Sequence, residues 1–109
     1  MNLWKETSEK LKEHNRAWTD VKWVGCKDFK IPLEDVCDLF NINYSSGYGS
    51  QQVASDLMVV GEDFYMTRGE YDGSEWWDWH EMPIEPAEMK KVTGVVNEHL
   101  WGSLSDYLK

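Results

Sequence analysis

Residues 56–82 read DLMVVGEDFYMTRGEYDGSEWWDWHEM. Three runs suited to strands lie within it: LMVV at 57–60, FYMTRG at 64–69 and EWWDWHE at 75–81. Two turn signals separate them, Gly61-Glu62-Asp63 and Tyr71-Asp72-Gly73-Ser74. Asp-Gly is a preferred central pair of the type I′ turn, whose twist matches that of the strands it joins. With Asp72 and Gly73 as a two-residue loop, Tyr71 pairs with Ser74. The ladder then runs back through Glu70 with Glu75, Gly69 with Trp76, Arg68 with Trp77, Thr67 with Asp78, Met66 with Trp79 and Tyr65 with His80.

Side chains alternate across a strand. One face of this hairpin therefore carries Phe64, Met66, Arg68, Trp77 and Trp79, and it is the side expected against helices. There Met66 has a sulfur–aromatic contact available with Trp79. Arg68 beside Trp77 implies a cation–π pair worth ~0.5–2 kcal/mol. The other face carries Tyr65, Thr67, Gly69, Trp76, Asp78 and His80, with the Trp76 ring over Gly69. Glu70 and Glu75 oppose each other as like charges, a mild penalty that is relieved if Arg68 or a partner cation sits between them. Trp76 is either an exposed anchor or is covered by the 41–52 loop or the C-terminal helix, and the residues leave both open.

Outward from the hairpin, residues 2–19 read as a helix, with Trp4, Leu11 and Trp18 seven apart on a narrow apolar stripe. Lys5, Glu6, Glu9, Lys12, Glu13 and Arg16 make its solvated face. VKWVGC at 21–26 alternates and reads as a strand. Pro32 starts a short helix, PLEDVCDLF, with Leu33, Val36, Cys37 and Phe40 as its buried side. Residues 41–52, NINYSSGYGSQQ, form a polar loop. Pro83 and Pro86 end the sheet, and Pro86 opens a last helix with Met89, Val92, Val96 and Leu100 on one face. Gly94 weakens that helix, Gly102 breaks it, and Ser103 caps a final turn through Leu108. The expected architecture is α+β: a single domain, 1–109, with a three- to four-stranded antiparallel sheet around the Trp-rich hairpin, packed against N- and C-terminal helices.

Composition supports a core large enough to fold without metal or disulfide, since the 109 residues include seven Trp, five Tyr and three Phe, each burying roughly 150–250 Å². The two cysteines, Cys26 and Cys37, do not form a disulfide framework. The N-terminus lacks the apolar run of a signal peptide, and no stretch has the roughly 18–20 apolar residues of a membrane span. A cytoplasmic protein with reduced thiols is expected.

The net charge of −9 is uneven. Residues 1–30 carry +2, residues 31–88 carry −12 with Arg68 as their one base, and residues 89–109 carry +1. Direct nucleic-acid binding is disfavoured, because phosphate needs the opposite sign. The acidity serves either solubility or a basic partner.

Catalytic and metal motifs are missing. His14, His80 and His99 with Cys26 and Cys37 have no zinc-site spacing. Asp72-Gly73-Ser74-Glu75 lacks the alternating oxygen ligands of a calcium loop. No nucleophile elbow, P-loop or dinucleotide fingerprint occurs, and no cofactor is expected.

Gly47-Tyr48-Gly49, Asp56-Leu57, Val59-Val60-Gly61, Arg68 and Tyr71-Asp72-Gly73-Ser74-Glu75-Trp76-Trp77 resemble small uncharacterised proteins encoded by phages and prophages of Gram-positive bacteria. The resemblance implies an accessory role inside the host cell. Small acidic proteins of such origin include inhibitors of host defence nucleases, anti-CRISPR and DNA-mimic types among them. The expectation is a non-enzymatic binding protein that docks an acidic, aromatic surface onto a protein partner, leading to occlusion of a basic nucleic-acid-binding groove. Glu62, Asp63, Glu70, Asp72, Glu75 and Asp78 would supply charge, and Trp76 and Tyr71, with Tyr65 and His80, the aromatic contacts. Two alternatives stand beside it: an assembly protein using the hairpin as a homodimer face, and a small hydrolase.

Overall fold

The structure, a computed structural model, describes residues 1–47, 49–96 and 102–109. The fold is α+β, with two helices on one side of a five-stranded antiparallel sheet. In chain order the elements are α1 (Leu3–Glu13), a 3-10 turn (Trp18–Asp20), β1 (Val21–Gly25), β2 (Lys30–Ile31), α2 (Leu33–Phe40), β3 (Met58–Gly61), β4 (Phe64–Tyr71), β5 (Ser74–Glu81) and a 3-10 turn at Leu104–Tyr107. The sheet order is β2-β1-β3-β4-β5.

The β4–β5 hairpin has the register that its Asp-Gly turn dictates, from Tyr71 with Ser74 to Phe64 with Glu81. Asp72 and Gly73 both have positive φ, 51° and 85°, as a type I′ turn requires. Phe64, Met66, Arg68 and Trp77 are buried and Trp79 is half-buried, so the face expected against the helices does lie there. The sheet has five strands rather than three to four. The added strand, β2, pairs only Ile31 with Val24 and Lys30 with Gly25, too short a run to show alternation.

Asn2 caps α1 through its side-chain oxygen, which accepts from the Lys5 amide at 3.0 Å. The helix ends at Glu13, not at residue 19. Asn15 takes a left-handed φ of 58°, and the Arg16 amide turns back to the Leu11 carbonyl at 2.9 Å, closing the helix end. Trp18 lies beyond the helix and folds back on it. Its ring stacks on Trp4 with centroids 4.3 Å apart, and its Nε1 donates to Ser8 Oγ at 2.8 Å. The seven-residue spacing thus reflects a stacked pair across a turn rather than a continuous stripe.

The core is Leu3 and Leu11 of α1, Val36 and Phe40 of α2, and Val21, Val24, Val59, Phe64, Met66 and Trp77 of the sheet. Thr7 is buried among them and accepts from Trp77 Nε1 at 2.8 Å. On α2, Leu33 and Cys37 are exposed rather than buried. A helix of eight residues buries only the stripe at Val36 and Phe40, and Leu33 and Cys37 fall to its flanks.

The C-terminal helix is absent among the described residues, and its expected position Leu100 lies outside them. Residues 86–96 are irregular, and Met89 and Val96 are exposed. The run Val92-Thr93-Gly94-Val95-Val96 explains this, since β-branched residues around a glycine are poor helix formers. The final turn does form at Leu104–Tyr107, where Asp106 Oδ2 accepts from the Ser103 amide at 2.8 Å. No helix among the described residues is long and apolar enough to cross a membrane.

Candidate protein-binding face

Both helices pack on one side of the sheet; on the other, Trp76 and Asp78 are exposed, Trp23, Met58, Tyr65, Thr67 and His80 are half-buried, and Val60 is buried. Register places them in rows. Trp23, Val60, Tyr65 and His80 are successive partners across β1, β3, β4 and β5. Gly25, Met58, Thr67 and Asp78 form the next row, and Gly69 with Trp76 the one after.

This face is built from local contacts. Tyr65 and His80 stack with centroids 4.6 Å apart and planes 15° apart. Thr67 Oγ1 lies 2.9 Å from His80 Nε2 and fixes the ring. The Trp76 indole lies across Gly69, where an added Cβ would come within 2.4 Å of its Nε1. That nitrogen donates to Asp78 Oδ1 at 2.8 Å. Trp76 is 39% exposed among the described residues, which favours the exposed anchor over the covered ring. Tyr71 and Asp72 stand exposed at the hairpin tip. These rows are aromatic, and among their residues Asp78 is the one carboxylate.

The acids expected beside it are mostly engaged elsewhere. Glu62 and Asp63 sit at the opposite end of the hairpin strands, paired with Lys22 at 3.8 Å and Arg16 at 2.9 Å. Glu70 Oε1 accepts from the Gly73 amide at 2.9 Å and steadies the turn. Glu75 cannot touch a partner, because its side chain is fully buried on the helix side. Its Oε2 accepts from the Gln52 amide at 2.7 Å and its Oε1 from the Val53 amide at 3.1 Å. Its own amide donates to Ser46 Oγ at 3.1 Å. Glu75 thereby clasps the 41–52 loop to the hairpin.

Arg68 completes that clasp. Its Nη2 reaches Glu75 at 3.4 Å and Tyr44 Oη at 3.1 Å, and its Nη1 reaches Glu6 at 3.1 Å. Its guanidinium lies over Trp77, 4.7 Å from the ring centroid. The buried Nε of Arg68 has no hydrogen-bond partner. Tyr44 donates to Glu6 Oε1 at 2.6 Å, and burial first, then this bond, pushes its phenol up to about 12. Glu6 is therefore an internal partner rather than part of a solvated helix face. Glu6 and Tyr44 lie 62 and 24 residues from Arg68, and no local pattern announced them. The signal that was present is the opposition of Glu70 and Glu75, which Arg68 relieves from the Glu75 side.

Tyr48 and His99 lie outside the described residues. Among the described residues, no three His, Cys, Asp or Glu side chains group so as to hold a metal ion. In comparisons with known proteins, no family model, no curated protein and no solved structure matches the chain.

Proposed function

We propose that the chain is a non-enzymatic binding protein that docks onto a protein partner through the open face of its sheet. The observation that carries this reading is the exposed Trp76, fixed over Gly69 and held by Asp78. A rigid aromatic anchor in a charge-poor patch, rimmed by polar groups, is the make-up of an interface centre. Tyr65, His80, Trp23 and Met58 extend the patch, with Tyr71 and Asp72 at its edge. In the setting that the resemblance implies, the protein is a phage or prophage accessory factor acting in the cytoplasm of a bacterial host on a host or phage protein.

The geometry shifts the weight from charge to aromatic contact. Occlusion of a basic nucleic-acid-binding groove remains the second reading, favoured by the net charge of −9. It is weakened by the burial of Glu75 and by the surface pairing of Glu62 with Lys22 and of Asp63 with Arg16. Salt separates the two, because an array of charges steers association and is screened, whereas aromatic burial is not.

The test is affinity capture from host cells with the wild-type chain, Trp76→Ala and a helix-face control, Lys12→Ala, followed by measured affinities for the captured protein. We expect Trp76→Ala to weaken binding by about tenfold or more, Lys12→Ala to leave it unchanged, and affinity to vary little with salt. Binding indifferent to Trp76 but steeply salt-dependent would overturn the aromatic reading in favour of the acidic one.

A further inference from the structure

Beyond Met82 the chain leaves the sheet as an arm. The Met82 amide donates to the Asp63 carbonyl at 2.8 Å. Further on, the described part of the arm closes on itself: Val92 bridges Leu108, and the Thr93 amide donates to the Tyr107 carbonyl at 2.7 Å. The molecule is 55 Å long against 32 and 28 Å across. The arm's apolar side chains stand in solvent, Ile84 at 85% and Met89 at 95% exposure. Scattered single apolar residues need no explanation, but an entire segment of them does.

The body has a matching vacancy. A groove of about 320 Å³ opens between α2, the start of α1 and the 52–57 segment, with Leu39, Ile42, Val53 and Leu57 in its wall. Leu39 and Ile42 are more than half exposed, at 55% and 57%. The helix that supplies Leu39, α2, also carries Glu34, Asp35 and Asp38, all exposed and in no ion pair among the described residues. The arm segment 89–96, MKKVTGVV, carries Lys90 and Lys91 and no acid. Lys90 pairs with Glu88 at 3.1 Å, which leaves Lys91 as the arm's free cation among the described residues of this segment, a complement in charge to the carboxylates of α2.

We propose that the arm of one copy lies in the α2 groove of a second copy, and the reverse, giving a two-fold exchanged dimer. The arm leaves from the β5 edge at the Gly61–Phe64 end, whereas the groove adjoins β2 at the opposite edge. In the structure the arm does not lie in its own groove, since Ile84, Met89 and Val96 of the arm and Leu39 and Ile42 of the groove are all exposed. A two-fold arrangement fills both grooves with the same contacts. The outer sheet face takes no part, so this inference is independent of the proposed partner.

Sedimentation of the full chain over a wide range of concentration tests it. The wild type is expected to reach the mass of two chains. Leu39→Asp and Ile42→Asp sit at exposed positions, so folding is retained, and each should raise the dissociation constant by about tenfold or more. Lys91→Glu should do likewise, and Lys91→Glu with Asp38→Lys should restore the dimer. Trp76→Ala should leave the mass unchanged. A wild type that stays monomeric throughout overturns the proposal. So does a dimer indifferent to the groove variants, and one lost with Trp76→Ala would instead place the contact on the sheet face.

Discussion

Arg68 and Glu75 form an ion pair at 3.4 Å in which neither side chain is exposed. Removing one partner of a buried pair costs about 3–5 kcal/mol where it strands the other charge, whereas here Glu6, 3.1 Å from Arg68, still pairs it. Glu75→Ala strands the Gln52 and Val53 amides and leaves Arg68 with one carboxylate, so it should fall near the lower end of this range by urea unfolding. Hydrogen exchange should show those two amides losing protection. A variant as stable as wild type would show that the clasp does not hold the loop.

Thr7 and Trp77 meet at 2.8 Å across seventy residues of chain. Thr7→Val keeps the shape and leaves the indole N–H without an acceptor, which costs about 1–3 kcal/mol. The penalty should shrink when Trp77→Phe removes the donor as well. A double-mutant cycle by chemical denaturation reads this coupling, and strict additivity would contradict it.

Gly69→Ala should displace the Trp76 ring, since the new Cβ would lie 2.4 Å from Nε1 and 2.8 Å from Asp78 Oδ2. The obstacle is side chain rather than backbone, so the loss of stability should be near the lower end of about 1–3 kcal/mol. Fluorine NMR of fluorotryptophan-labelled protein, with Trp76 assigned by substitution, should show its resonance move and broaden.

Tyr44 gives the chain an alkaline limit. Its folded pKa of about 12 lies above the ordinary value of 10.0. Between these values the folded state holds more protons than the unfolded state, so stability falls as pH rises. The contribution is fully present below about pH 10 and is lost through about 12. Unfolding curves against pH should show this decline in the wild type and a shallower one in Tyr44→Phe. Identical profiles would contradict it.

The hairpin was legible in the sequence because both its determinants are local. Asp72-Gly73 sets the turn, and alternation then assigns Trp77 and Trp79 to one side and Trp76 to the other. Local pattern misled where two structures share a spacing. Trp4 and Trp18 are fourteen apart, two steps of seven through Leu11 as on a helix, but they meet by stacking across a chain reversal. Met89, Val92 and Val96 have helical spacing too, yet the β-branched residues between them oppose it. Glu75 was misassigned to the partner surface because its burial depends on Glu6, Tyr44 and the Gln52 and Val53 amides, which only the tertiary fold brings near.

Trp76 stands between Glu75 and Trp77, and the three consecutive residues face alternately outward and inward. Stability and the proposed recognition are therefore written in alternate letters of the same word. Substitutions at the outward letters reach solvent without reaching the clasp or the helix contacts. The outward positions of this strand can therefore change one at a time while the scaffold beneath stays the same.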